Sequence, residues 1–395
     1  MGGVTDIKVI DTDTHVTEPP DVWTSRLASR WSDVAPRIEL DWDQQPRWRV
    51  GEQWLTAPAY YAHAGSTTYP PFLPTRLEDV DAGSYDPKVR LERMDEYGIH
   101  AAVLYPNLIG FETPAFRRLG EDFSLACIQA YNDFISDFAT ADPKRLIPIT
   151  MPPFWNVDAT VAEVRRCAAK GHKGVLWGNK YESLGLPGLS DPHWDPVYAA
   201  ADECDISINF HIGFQQTTGV SERKNQEWLS SYSEQDARQT VATQAIMMMM
   251  SNGTAIAALL TGSVLDRFPK LKFVSVESGF GYLPYLLESL DWHWKGYGLG
   301  SSRAMLPSEY FRRQCFGTFW FEVGTLKLLE QYPDSFMFET DYPHPTSMSP
   351  GPASPALRPS EHIALHYGVL PADVARKALY SNAARVYGLD PVWTR

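Results

Sequence analysis

The chain has 395 residues, 44% of them apolar and 21% charged, the profile of a globular protein and not of a disordered one. Lys and Arg total 35 against 48 Asp and Glu, a net charge of -13, which argues against a nucleic-acid partner and against a polybasic membrane contact. Cys127, Cys167, Cys204 and Cys315 are dispersed and form no CxxC pair, so neither a zinc ribbon nor a disulfide scaffold is expected.

Strand and helix signals alternate along the chain. Ile7–Asp13 reads as a strand, Arg90–Tyr97 as a helix ended by Gly98, and Ala101–Tyr105 as a short apolar strand. A long helix is expected over Ala115–Ala139, a strand over Leu146–Thr150, and a helix over Val157–Lys170. Gly174–Trp177 and Asp205–His211 read as strands around a helix at Trp194–Glu203. Gln235–Leu265 reads as largely helical, Leu271–Glu277 as a strand and Leu283–Trp294 as a helix. Phe319–Val323 and Phe336–Glu339 complete the strands, with Leu326–Tyr332 helical between them and further helices from Glu361 and Ala372. The N-terminal MGGVTDIKVIDTD has no basic-then-apolar pattern and no apolar run approaches 18 residues, so a cytoplasmic protein without a membrane span is expected.

About eight apolar strands, each followed by a helix, imply a parallel sheet with helices outside it. Eight repeats fit a closed, distorted (β/α)8 barrel better than an open sheet, and neither GxGxxG nor GxxxxGK[ST] occurs to support a nucleotide role. One domain over residues 1–395 is expected, with insertions at 16–87 and 212–262. The first is rich in Pro, Trp and Tyr and reads as an ordered lid; the second holds a polar loop and then the long helix.

Four strand ends carry chemistry. Asp11, Asp13 and His15 alternate along the first strand and so share one face, where inward-facing polar groups are costly unless satisfied. His211 ends the fifth strand, Glu277 the sixth, and Asp341 follows the eighth. Each alone has a plain structural account as a turn former, core histidine, ion pair or helix cap. A barrel brings these ends into one pocket, where two carboxylates and two imidazoles make a mixed site for Zn, Mn or Fe. Glu277 beside such an ion could move protons.

The order Asp13-x-His15, His211, Glu277, Asp341 resembles the metal-dependent amidohydrolase superfamily. More narrowly, the chain resembles its branch of aminocarboxymuconate semialdehyde and benzoate-type decarboxylases. Further likeness lies in the stretches DPKVRLERMDEYG (86–98), DRFPKLK (266–272), ETDYP (339–343) and NAARVYG (382–388). The resemblance implies a barrel with one catalytic divalent ion held by Asp13, His15, His211 and Asp341. It also implies a small-molecule substrate and a homodimer or higher homo-oligomer, for which the long helix at 235–265 is a candidate interface. Asp13 stands where the family usually has His, which tilts toward decarboxylation and toward a harder ion than Zn. Glu277 stands where the family usually has a catalytic His, so it is expected either to transfer the proton or to be a further ligand.

Binuclear members of the superfamily carry a bridging Lys at the end of strand four; Lys173 begins that strand instead, so the resemblance implies a mononuclear centre. Trp177, Arg49 and His344 are candidate substrate contacts; the resemblance implies that Arg49, in Trp48-Arg-Val50, holds the substrate carboxylate, a task its bidentate geometry suits. Glu18 is an alternative ligand or a helix-start residue. The leading expectation is non-oxidative decarboxylation of a small aromatic or unsaturated carboxylic acid. The alternative is hydrolysis of an ester, lactone or amide by a metal-activated water, with Glu277 or Asp341 taking the proton. The third is a binding protein that has lost catalysis.

Overall fold

The computed structural model describes residues 3–214 and 233–392. In chain order the strands are β1 (Val9–Val16), β2 (Arg37–Leu40), β3 (Pro46–Val50), β4 (Gln53–Trp54), β5 (Ile99–Pro106) and β6 (Leu146–Pro148). They continue with β7 (Gly174–Gly178), β8 (Ser207–His211), β9 (Phe273–Val276), β10 (Cys315–Phe319) and β11 (Phe336–Phe338). β1, β5 and β6 form one parallel sheet and β7 to β11, in sequential order, a second. Two bridges join them: Thr150 to Val175 at one seam and Thr14 to Tyr342 at the other. The eight parallel strands are buried almost throughout, as strands covered on both faces are, and most are apolar, whereas β1 (VIDTDTHV) and β8 (SINFH) carry polar side chains into the interior.

The helices between strands follow local rules. Pro87–Tyr97 begins after Asp86, whose carboxylate accepts from the Lys88 and Val89 amides, and ends at Gly98 with φ 77°. Such an N-cap is worth about 1 kcal/mol. From this helix the buried Arg90 reaches back to β1, donating to Thr14 Oγ1 at 3.2 Å and to the His15 carbonyl. The expected helix at 115–139 is instead two, Thr113–Arg117 and Glu121–Ala139, because Gly120 sits between them at φ 99°.

Three departures matter for the site. The seventh parallel strand is Cys315–Phe319 and not Phe319–Val323. The β-forming Trp320, Phe321 and Val323 leave the sheet because Glu322 folds back to accept from the Phe280 and Trp320 amides at 2.7 and 3.1 Å. The 16–87 segment contains the antiparallel sheet β2–β3–β4. Finally, Glu234–Thr261 is the one described helical stretch long and apolar enough, by length and composition, to cross a membrane. It escaped the search for an unbroken apolar run because Thr, Gln and Asn interrupt it. It breaks at Ser251 into Glu234–Met250 and Asn252–Thr261, and the second half packs Ala255, Ile256, Leu259 and Leu260 into the core.

Candidate metal centre

β1 delivers Asp13 and His15, β8 ends in His211, and Glu277 and Asp341 follow β9 and β11. All five are buried. β1 meets β5 through a register shift between Asp11 and Thr14, the stretch that carries Asp13. The Asp341 amide donates to the Asp13 carbonyl at 2.9 Å, locking the ends of the two strands together. Glu277 and Asp341 both have left-handed backbone, φ 54° and 58°, an uncommon state for residues other than glycine and one found at functional sites. The Glu277 turn is held by its amide, which donates to Thr318 Oγ1 at 3.1 Å and Glu339 Oε2 at 3.3 Å.

The imidazoles have a fixed orientation. His15 Nδ1 lies 2.9 Å from the Pro106 carbonyl and His211 Nδ1 2.6 Å from the Ile212 carbonyl. A carbonyl only accepts, so each Nδ1 carries the proton and each Nε2 presents a lone pair. His15 Nε2 is 3.4 Å from Asp13 Oδ1 and 3.6 Å from Asp341 Oδ1, and His211 Nε2 is 3.4 Å from Asp13 Oδ2. Both Nε2 atoms and both Asp13 oxygens are buried without a hydrogen-bond partner. Buried polar atoms are rarely left so. The ligand atoms of Asp13, His15 and His211 lie within 4.8 Å of one another, as do those of Asp13, Glu277 and Asp341 and those of His15, Asp341 and His344. This donor set fits a divalent ion, which would satisfy every orphaned atom at once.

Electrostatics agrees. Burial, then His344, pulls His15 down to about 4, and burial pulls His344 to about 3, so both rings are neutral and able to ligate near pH 7. Burial would raise Asp13, but the proximity of His211 and His15 outweighs it and holds that carboxyl well below its usual range. Burial and then Asp13 raise Asp341 to about 7. Burial, reinforced by Asp341, Asp13 and Glu339, pushes Glu277 well above the ordinary carboxylate value.

His344 joins this group. Its ring stacks on His15 at 3.7 Å, Nδ1 lies 2.9 Å from Asp341 Oδ1, and Nε2 lies 2.7 Å from Asn107 Oδ1. Asn107 is fixed in turn by Glu18, whose carboxylate accepts from the amides of Asn107, Leu108 and Ile109 at 3.1, 2.9 and 3.4 Å. Glu18 therefore acts at a helix start and is outside the ligand group. Over the imidazoles lies an aromatic wall: Phe214 meets His211 edge-on at 4.5 Å and stacks on Phe111 at 4.4 Å, and Phe111 stacks on Tyr61 at 4.7 Å.

Two expected substrate contacts lie elsewhere. Arg49 is engaged by Glu39 of β2 and by Glu52 in the turn before β4, each at 2.8 Å, and sits over Trp54, because β3 pairs with β2 and β4 and turns it toward them. Trp177 packs among Tyr181, Trp194 and Tyr198. Its position in β7 points it to the layer between sheet and helices. Lys173 precedes β7 and is not in the ligand group. Three residues of the site went unread in the sequence: Asn107, Glu339 and Thr346. Thr346 Oγ1 donates to Asp341 Oδ2 and lies 3.3 Å from Glu277 Oε1. Glu339, fully buried, had a readable signal, a carboxylate closing the apolar triplet Phe336–Phe338.

The Amidohydrolase family pattern matches residues 10–389, and the chain belongs to this family. Among curated relatives, it is 22% identical over 326 residues to a 2-amino-3-carboxymuconate-6-semialdehyde decarboxylase of Dictyostelium discoideum, covering 80% of each chain. Among solved structures, an amidohydrolase from Mycobacterium avium subsp. paratuberculosis K-10 matches with a TM-score of 0.72 at 19% identity, over 97% of this chain and 100% of that one. A 5-carboxyvanillate decarboxylase from Novosphingobium aromaticivorans, complexed with manganese and 4-hydroxy-3-methoxy-5-nitrobenzoic acid, matches with a TM-score of 0.64 at 17% identity, over 98% of each chain. These likenesses show the fold.

Proposed function

We propose that this chain is a divalent-metal-dependent decarboxylase acting on a small aromatic or unsaturated carboxylic acid. The observation that carries the reading is the convergence of bare imidazole nitrogens and carboxylate oxygens from β1, β8 and the turn after β11, with Glu277 alongside. Asp13, His15, His211 and Asp341 are the proposed ligands, and the likeness to decarboxylases supports the reaction class. Around them the eight parallel strands form one closed barrel domain over residues 1–395, and the 16–87 insertion caps its mouth; the Tyr61–Phe111 contact and the His63 amide on the Pro343 carbonyl support that placement.

When bound, the ion supplies positive charge for the substrate carboxylate and an adjacent oxygen. Asp13, a carboxylate in place of imidazole, favours Mn or Fe over Zn. The chain's own groups do the rest. Phe214 and Phe111 exclude water and present flat apolar faces to a planar acid. Glu277, protonated in this environment, hands its proton to the carbon that bears the carboxylate. As the bond to that carboxylate breaks, its electron pair returns to the substrate and CO₂ leaves; water then reprotonates Glu277. Thr346 fixes the Glu277 and Asp341 carboxyls for this transfer. A second copy of the chain is the proposed partner, covering the exposed Ile246, Met247 and Met250.

The test is CO₂ release, measured beside acid production in a pH-stat, by manganese-loaded protein on a panel of hydroxybenzoic and unsaturated acids, esters and lactones. CO₂ without titratable acid supports decarboxylation. Acid without CO₂ replaces it with hydrolysis, and failure to retain a metal would sink both.

A further inference from the structure

Thr346, whose hydroxyl touches Asp341 and Glu277, also lines a cavity of about 520 Å³. That volume is in the range of ligand pockets, about 300–1,000 Å³. Its walls include Ile246, Met249, Trp320 and Met348, and no Asp, Glu, Lys or Arg is among the lining residues. Two histidines of the helix Pro359–His366 complete it, His362 and His366, with rings 4.7 Å apart. His362 is 8% exposed, and its Nε2 is buried without a hydrogen-bond partner. Burial, then His366, pulls its pKa to about 4, so at neutral pH the ring can donate or accept one hydrogen bond without carrying charge. An orphaned buried nitrogen is a costly arrangement, and because the His362 ring stands in the cavity wall, a small ring movement would bring it to a ligand hydroxyl or carbonyl.

We propose that this cavity is a substrate subsite, and that the substrate is an aromatic carboxylic acid extended by a second ring or short apolar chain ending in an uncharged hydrogen-bonding group read by His362. The assignment rests on the decarboxylase reading of the metal centre and deepens it. Thr346, which lines the cavity and contacts the Asp341 and Glu277 carboxyls, sets the extension beside the proposed reaction centre. The lack of charge selects a neutral tail. A neighbouring cavity of about 400 Å³ also reaches Thr346 but is walled by Tyr69 and by Arg238, which pairs with Glu234.

The probe is 4-hydroxybiphenyl, titrated by calorimetry into the manganese-loaded full-length chain. Ala356→Trp fills the cavity from a loop, and Leu357→Trp fills it from the adjacent exposed position should the first variant fold poorly. Either should weaken binding at least tenfold, and His362→Leu should weaken it about tenfold. Turnover of an unextended hydroxybenzoic acid by the same variants should stay within about twofold. Binding unchanged in both filling variants, or sensitive to Arg238→Ala alone, overturns the assignment. Failure of the decarboxylase reading shows differently: no CO₂ from any acid while 4-hydroxybiphenyl still binds and Ala356→Trp still abolishes that binding.

Discussion

His15 and His211 offer only Nε2 to the centre because backbone carbonyls occupy Nδ1. His211→Ala and Asp341→Ala should each leave less than about a tenth of an equivalent of metal after growth in manganese, read by elemental analysis. Glu277→Gln keeps size and shape, so the metal should stay while turnover falls roughly a hundred- to ten-thousand-fold. Metal lost along with activity would make Glu277 a ligand. Asn107→Ala frees His344 Nε2, and metal affinity should drop about ten- to a hundredfold, as for lost outer partners in other metal sites, measured by competition with a chelator. The residues of this centre were legible in the sequence where a polar group closes an apolar strand: Asp13, His15, His211, Glu277 and Asp341 come together as expected. Asn107 and Thr346 were not, because they lie in connecting segments whose path depends on contacts with distant strands.

At the scale of elements, close approach explains what propensity does not. A Cβ at Gly110 would come within 1.9 Å of the Phe214 ring. Gly110→Ala should therefore push Phe214 off His211 and cost about 1–3 kcal/mol of stability, seen as a lower urea midpoint with unchanged slope. Equal stability would mean that the wall yields freely. The same competition between local signal and distant contact misplaced the seventh strand. Phe319–Val323 has the better β-forming residues, yet the Glu322 carboxylate is taken by the Phe280 and Trp320 amides and turns the chain away. Arg49 and Trp177 face away from the centre for a related reason: sequence marks a residue as able to bind a ligand, and pairing partners decide which way it faces.

For the molecule as a whole, the buried acids couple metal binding to stability. In the metal-free fold Asp11 rises to about 8 and Glu18 and Asp341 to about 7, all chiefly through burial. Folded protein thus holds protons that the unfolded chain has lost, and stability falls as pH rises through these values. Between pH 7.2 and 8 the depressed histidines His15, His172, His344 and His362 are neutral when folded and largely so when unfolded, so the carboxyls set the sign. The melting temperature of metal-stripped protein should fall over this window. A bound ion requires ionised ligands, so the gap between loaded and stripped protein should widen with pH. Scanning calorimetry at pH 7.2, 7.6 and 8 decides it, and a gap that narrows would contradict the linkage. The parallel β/α alternation was legible throughout, since it rests on apolar runs that any covered strand shows. The β2–β3–β4 sheet was hidden because its edges are short and half-exposed, leaving no periodic signal.

The left-handed turns at Glu277 and Asp341 bear on how variant libraries of this protein should be designed and scored. Saturating either position samples backbone tolerance as well as chemistry. Val, Ile and Thr would be depleted there for conformational reasons whatever the reaction, while Gly, Asn and, at 277, Asp fit the geometry with different side chains. Those replacements are therefore the informative comparators. A selection that ranks substitutions by survival alone would overstate how many side chains the chemistry rejects.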